Sequence, residues 1–319
     1  MCETCGHIMI NAKQVRSYDP TRTTRLRNQF VAESNRRFEA LATLVKKTVD
    51  DEDCFGLRLQ RYATPGQNAF AFGSDMRKLA EFMAWLQKQI DEGIIDVVDI
   101  PQIGDAVISQ WTGKYITESY KRGVERARQE MIKAGYTVPL IEITGGTWGA
   151  MQVPLHVQTV GLMYLRTFND LKGITDAMSQ QISRILSQGL IDGTNPRVLA
   201  KRLVAAINGK GVGELGLTDT IGRFIPAKRR AEILARTEII RAHHYASVME
   251  YKNWGVIGVN VMAEFKTAGD DRVCSVCASM EGNVYTLDEV LPLIPVHPQC
   301  RCIALPIVVD DKGKRITYN

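Results

Sequence analysis

Apolar residues recur along the first half of the chain at three- and four-residue spacings. Leu26, Phe30, Phe38, Leu41 and Val45 share one stripe, which predicts an amphipathic helix with Asp19 as its N-cap and Pro20 in the first helical position. A turn-rich break, ATPGQNAFAFGS, precedes a second helical pattern that is capped at Ser74 and stopped at Gly93. After a short connector, IIDVVDIPQ, a third pattern runs from Ile103 towards Ala134 through Val107, Trp111, Ile116, Tyr120, Val124 and Ala127. Gly113 and Gly123 weaken it locally. The stretch TVPLIEITGGTWGAMQVPLH, with two prolines and the Gly145-Gly146 pair, is the best candidate for a domain boundary.

Helical spacing resumes in HVQTVGLMYLRTFNDLKG and ITDAMSQQISRILSQGLIDG, read as two helices, the second ended by Asp192-Gly193. NPRVLAKRLVAAIN starts another on an Asn195-Pro196 cap, and NGKGVGELGLTD reads as a flexible linker. IPAKRRAEILARTEIIRAHHYASVMEYKNWG is again strongly helical and stops at Gly255. Only then does the period change. VIGVNVMAEFKTA is β-branched and nearly alternating, IALPIVV resembles it, and both read as strands. The expectation is an α+β fold, predominantly α-helical, with a small β and cysteine-rich C-terminal subdomain. It divides into a helical region over 1–150 and a second domain over 151–319, whose cysteine-rich tail occupies 256–308.

Composition changes this picture little. The chain's 319 residues suffice for two or three cores, and 45% apolar and 24% charged residues are ordinary for a globular protein. No apolar run approaches the ~18 residues that would span a bilayer. The start, MCETCGHIMINAKQ, lacks the basic and apolar regions of a secretory signal, so the chain is read as made and assembled in a reducing cytoplasm. There, clustered cysteines favour metal ligation over disulfides. The net charge of +5 is uneven: residues 13–47 and 197–236 each hold nine basic against three acidic side chains. Such faces suit an acidic protein or a phosphate backbone, or are simply solvated.

The candidate chemistry lies in the tail. Cys274-x2-Cys277 is followed, after nineteen residues, by His297-x2-Cys300-x-Cys302. A two-residue gap lets one turn aim two thiolates at a single ion, and zinc takes four nitrogen and sulfur ligands in a tetrahedron. Five donors compete for four places; Cys274, Cys277, His297 and Cys300 are the favoured set, with Cys302 as the alternative ligand. Pro295 and Pro298 stiffen the return limb. The segment from Met280 to Leu291 is poor in aliphatic residues and would struggle to form a core unaided. A thiol-rich mini-core without metal is the competing reading, and a disulfide between the limbs a third.

Elsewhere the signals are thinner. Cys2, Cys5 and His7 supply three ligands at most, and Cys54 beside Phe55 reads as a buried thiol. His243-His244, near Glu238 and Glu250 and upstream of the cysteines, faintly suggests an HNH-type nuclease; successive helix positions point about 100° apart, which hinders sharing one ion. No phosphate loop, serine-hydrolase elbow or H-E-x-x-H motif is present.

At LARTEIIRAHHYASVMEYKNWGV, FKTAGDDRVCSVCASMEGNVYTLDE and PVHPQCRCIALP the chain resembles the phage Mu F-like minor head protein family, also described as phage head morphogenesis proteins. The matching residues are Arg236, Thr237, Glu238, Asp270, Asp271, Arg272, Cys274, Cys277, Gly282, His297, Pro298, Cys300, Arg301 and Cys302. ISRILSQGLIDGTNPRVLAKRL resembles the helical part of that domain, so the likeness extends over roughly Val153 to Ile307. The His-His pair departs from the expected small or polar residues. The resemblance implies a structural, non-enzymatic minor capsid component, present in few copies per virion and located in the head at the portal vertex. Its implied partners are the portal protein, the major capsid protein, or both, with packaged DNA as a further contact and no membrane. The first 150 residues would then serve as a contacting arm. Within the motif, Glu238 is expected to pair with Arg272 or Arg301 and so lock the tail onto the helical body. The rival reading is a zinc-bearing nucleic-acid-binding protein or HNH-like nuclease.

Overall fold

In a computed structural model the described residues are 19–57, 76–99, 107–136, 146–152, 154–209, 225–256, 258–310, 313 and 315–316. The Cys2/Cys5/His7 cluster, Ser74 and the glycine-rich 210–224 stretch lie outside them.

The first helix, α1, spans Thr24–Lys46 and turns into a π-helical segment at Lys47–Asp51. Asp19 is not its N-cap. Arg22 takes a left-handed φ of 55°, which breaks helical continuity from Pro20, and Thr23 becomes the capping position. Asp19 works from outside instead, accepting the N–H groups of Thr21 and Thr23 (3.1 Å each) and pairing with Arg27 at 2.7 Å. Helix α2 (Met76–Ile90) also ends in a π-helical turn, Asp91–Ile95. Of the third pattern, the first described residues form a strand. Val97–Asp99 (β1) and Val107–Ser109 (β2) form an antiparallel ribbon, and α3 covers only Gln110–Lys133. The β-branched residues at both ends of that pairing favour pleated backbone over the helical period.

After α4 (Gly146–Met151), the two expected helices are one, α5, Pro154–Ile191. Gly173 does not break it, because a single interior glycine costs only about 1 kcal/mol in a helix of this length. Gly193 ends it with φ 60°, as Thr194 donates its N–H to the Gly189 carbonyl at 2.8 Å. Helix α6, Pro196–Asn208, starts on Asn195, whose side chain accepts the Arg197 N–H, and stops at left-handed Gly209.

Helix α7, Ala227–Val256, is the axis of the molecule. It packs against α1, α3, α5, α6 and the C-terminal sheet, so apolar and small residues are needed around most of its circumference. Ala231, Ala235, Ile239, Ala242 and Ala246 join the main core, which also holds Phe30, Phe38, Leu86, Ile116 and Tyr120 from the first 150 residues. Against α3 the approach is close. Ser119, Gly123 and Ala127, four residues apart, are all buried, with Ser119 Oγ donating to the Ile239 carbonyl (2.7 Å) and Ser247 Oγ to that of Gly123 (3.0 Å). Gly123 is therefore not a weak point; it is what lets the two backbones meet.

The C-terminal unit contains β3 (Val261–Lys266), α8 (Ser275–Met280), β4 (Val284–Tyr285), α9 (Leu287–Val290) and β5 (Ile303–Val308). Its sheet is antiparallel throughout, in the order β4-β3-β5. The tail has a core after all: Ile240 and Val248 of α7 supply what the Met280–Leu291 stretch lacks, packing with Phe265, Cys277, Val290 and Ile294. No helix among the described residues is long and apolar enough to cross a membrane.

Candidate functional site

The two cysteine-bearing limbs meet, and Cys277, Cys300 and Cys302 share one core cluster with Phe265 and Ala304 of the sheet. Cys274 caps α8, accepting the Cys277 N–H at 3.4 Å, so the Cys-x2-Cys pair occupies one helical turn. His297 Nε2 lies 3.4 Å from Cys274 Sγ and 3.2 Å from Cys277 Sγ. Its other nitrogen, Nδ1, is 2.9 Å from the Pro298 carbonyl. A carbonyl can only accept, so in the neutral ring Nδ1 carries the proton and Nε2 turns its lone pair to the thiols. That is the tautomer a metal-ligating imidazole needs, fixed by a carbonyl in the way such ligands are ordinarily oriented.

Cys274, Cys277 and His297 form one triplet whose donor atoms lie within 4.8 Å of one another, and Cys277, Cys300 and Cys302 form a second. Cys277 belongs to both. Neighbouring sulfur donors of a tetrahedral zinc sit roughly 3.8 Å apart; His297 Nε2 is already within 3.4 Å of both thiols of the first triplet, and the second triplet joins the first through Cys277. The residues fit a metal ion by donor type, spacing and tautomer.

The thiols already differ electrostatically. A hydrogen bond from Cys302 brings Cys300 down to about 5, whereas burial pushes Cys277 up to about 12. The Cys277 N–H favours the Cys274 thiolate. Burial opposes protonation of His297, but the Pro298 carbonyl and the neighbouring thiolates outweigh it and raise its pKa. These groups titrate as one cluster.

The expected lock between Glu238 and the tail arginines does not form. Glu238, 3% exposed, faces Arg241 at 3.0 Å and Arg166 of α5 at 3.7 Å, and burial raises its pKa. Arg301 instead binds Asp270 through both terminal nitrogens, at 2.6 and 2.5 Å, and Arg272 reaches the same carboxylate at 3.0 Å. Adjacent positions on α7 diverge by about 100°, so Glu238 looks towards α5 while Thr237 looks to the tail. The lock is Thr237, whose Oγ1 accepts the N–H of Gln299 at 3.1 Å. Gln299 has φ 63°, and that left-handed turn aims its amide at the helix. Asp270 had a readable signal: in Asp-x-Arg its side chain accepts the Arg272 N–H (3.2 Å) as a short polar residue at a turn does.

His243 and His244 stand apart from the triplets. Both are 1% exposed, burial brings them to about 3 and 4, and His244 Nε2 donates to the Val290 and Leu291 carbonyls. Glu250 is likewise internal, held by Arg128 at 2.9 Å and facing His156 at 3.4 Å. Cys54 is exposed rather than buried; Phe55 takes the interior position beside it.

The residues that assemble this knot, from the end of α5 to β5, fall within a stretch, 180–305, that matches the family described as phage Mu protein F like protein. Residues 180–305 are a phage Mu F-like region. The Mu F-like match begins inside α5 and ends inside β5, so it takes in α6, α7, the sheet and every donor of both triplets. Searches of curated proteins and of solved structures returned no match to the chain.

Proposed function

We propose that the chain is a structural minor capsid protein acting in phage head morphogenesis. In this reading it is assembled in the host cytoplasm and held in few copies at the portal vertex of the virion, in contact with the portal protein, the major capsid protein, or both. The observation that carries it is the Mu F-like stretch, whose motif residues are the ones that build the terminal knot and fasten it to α7. The cysteines and the histidine then have a mechanical task. Zinc is the ion of choice for sulfur and nitrogen donors in a closed site, and it would tie the α8 turn to the HPQCRC turn. Cys274, Cys277 and His297 take three places, with Cys300 or Cys302 the fourth. The basic faces of α1 and α6 suit packaged DNA.

The nuclease reading meets a physical obstacle. A catalytic histidine must reach substrate, and both His243 and His244 are enclosed in the core. The deciding experiment is co-sedimentation of the purified chain with portal oligomers and with procapsids, beside zinc analysis and a divalent-metal nuclease assay. Association without cleavage is expected. Cleavage lost in His243→Ala, with no association, would reverse the assignment.

A further inference from the structure

The corner where α5 turns into α6 has an outer surface that neither the knot nor the core uses. Ile191, the last residue of α5, is 66% exposed, and Val198, in the first turn of α6, is 44% exposed. One open apolar side chain is ordinary; two on either side of a fixed turn are a feature. The turn is fixed because the helices touch there: a Cβ on Gly189 would come within 2.6 Å of Leu199 Cδ1, and Leu199 is wholly buried. Asn195 caps α6, and buried Pro196 sets its first position. Ile191 and Val198 are therefore presented on a rigid frame, which lowers the ordering cost of docking.

Around them the charge is nearly all of one sign. Arg184 lies on the α5 stripe that leads through Gln188 to Ile191, and Arg197, Lys201 and Arg202 flank Val198 on the open side of α6; all four are exposed. Elsewhere on α5 and α7, exposed cations meet an acid one turn away, as Lys172 does Asp176 (2.8 Å) and Arg229 does Glu232 (2.7 Å). Here no acid stands three or four residues from any of the four, and among the described residues none of them pairs with a carboxylate. Asp192 is the one acid in the turn, and its carboxylate accepts the Gln188 side chain at 2.7 Å. Charge alone would suit phosphate. Charge around an apolar centre suits protein, because interface centres are apolar and rich in arginine, whereas a phosphate backbone leaves Ile191 and Val198 uncovered.

We infer that the α5–α6 corner is a docking face for a partner protein, which meets Ile191 and Val198 with apolar side chains and the surrounding arginines and lysine with carboxylates. Only the identity of that partner rests on the head-assembly reading above. The cations give up no internal ion pair when the partner arrives, so its carboxylates steer the approach and fix the register. The apolar pair supplies the contact that holds.

The test measures binding of the full chain to portal oligomers, to procapsids and to a short DNA duplex, each separately. Ile191→Ser combined with Val198→Ser removes the apolar centre without touching a charge, and circular dichroism checks that the fold is kept. Binding to the protein partner is expected to weaken by about tenfold or more, with duplex binding unchanged. Lys201→Gln with Arg202→Gln should weaken it too and flatten its dependence on salt. Ile132→Ser, at an exposed apolar position on α3, should bind as the parent does. Parental affinity in the double serine variant would overturn the docking face. So would a loss confined to the duplex in the glutamine pair, which would assign α6 to DNA. If the parent binds neither portal nor procapsids, the head-assembly reading fails instead, and an amphipathic peptide of glutamate and leucine decides the face. That peptide should bind the parent about tenfold more tightly than the double serine variant, and equal binding would overturn the inference.

Discussion

Replacing Gly123 with alanine tests how the two halves of the chain are joined. A Cβ at this position would lie 2.6 Å from the Ala246 Cβ and 3.0 Å from the His243 carbonyl carbon, and closer still to that carbonyl's oxygen. Carbon atoms rest about 3.5–4.0 Å apart, so α3 and α7 must separate by roughly 1 Å. Neither obstacle is a flexible side-chain tip; the oxygen is helix backbone. Overpacking of this kind costs about 1–3 kcal/mol. Separation also stretches the two serine–carbonyl bonds across the seam, each contributing about 1 kcal/mol. Against this stands the better helix propensity of alanine, about 1 kcal/mol. The net expectation is a loss of about 2–4 kcal/mol, or a fall of roughly 3–6 °C in Tm for a chain of this length. Urea and thermal unfolding followed by circular dichroism measure it. Gly173→Ala is the matched control: that glycine is exposed on α5 with nothing within 4 Å, so the propensity gain of about 0.5–1 kcal/mol should appear alone. If Gly123→Ala unfolded within 0.5 kcal/mol of the parent (about the scatter of an ordinary surface substitution), the close-contact argument would be wrong.

Cys277→Ser, which removes the thiol common to both triplets, should leave less than a tenth of the zinc on the protein by elemental analysis, whereas Cys54→Ser should keep all of it. Because His243 and His244 are held neutral in the fold, the unfolded chain binds more protons below its pKa of about 6.5. Stability should then fall on acidification from pH 6.5 towards about 4, at up to about 1.4 kcal/mol per pH unit for each histidine, and His244→Gln should flatten the slope in urea titrations. Arg128→Met strands the buried Glu250 carboxylate and should cost about 3 kcal/mol; a variant as stable as the parent would mean that water reaches Glu250. Thr237→Val should cost about 1 kcal/mol and speed hydrogen exchange at the Gln299 amide, with no change at β4.

Much of the fold follows from local pattern. The α1 stripe, the Asn195-Pro196 cap, the close of α5 at Gly193 and the strand at β5 each rest on neighbouring residues and appear where the spacing places them, whereas β3 begins only at Val261 because α7 runs on through Val256. The errors fall where distant groups decide. Val107–Ser109 carried a helical period, but its partner ten residues earlier drew it into a ribbon. Asp19 looked like a cap until Arg22 turned left-handed and Arg27 folded back to it. The tail seemed coreless because its core is supplied by Ile240 and Val248, on a helix that precedes it.

The same division holds at the site. Spacing pointed to Cys274, Cys277, His297, Cys300 and Cys302, and the fold gathers them into two triplets that share Cys277. Which nitrogen of His297 faces the thiols, that Thr237 rather than Glu238 holds the turn, and that Asp270 takes both arginines were decided only in three dimensions. Charge type can be read from sequence, but a partner cannot: several acids compete for each arginine, and the winner is whichever one the packing of α5, α7 and the tail brings within about 3 Å.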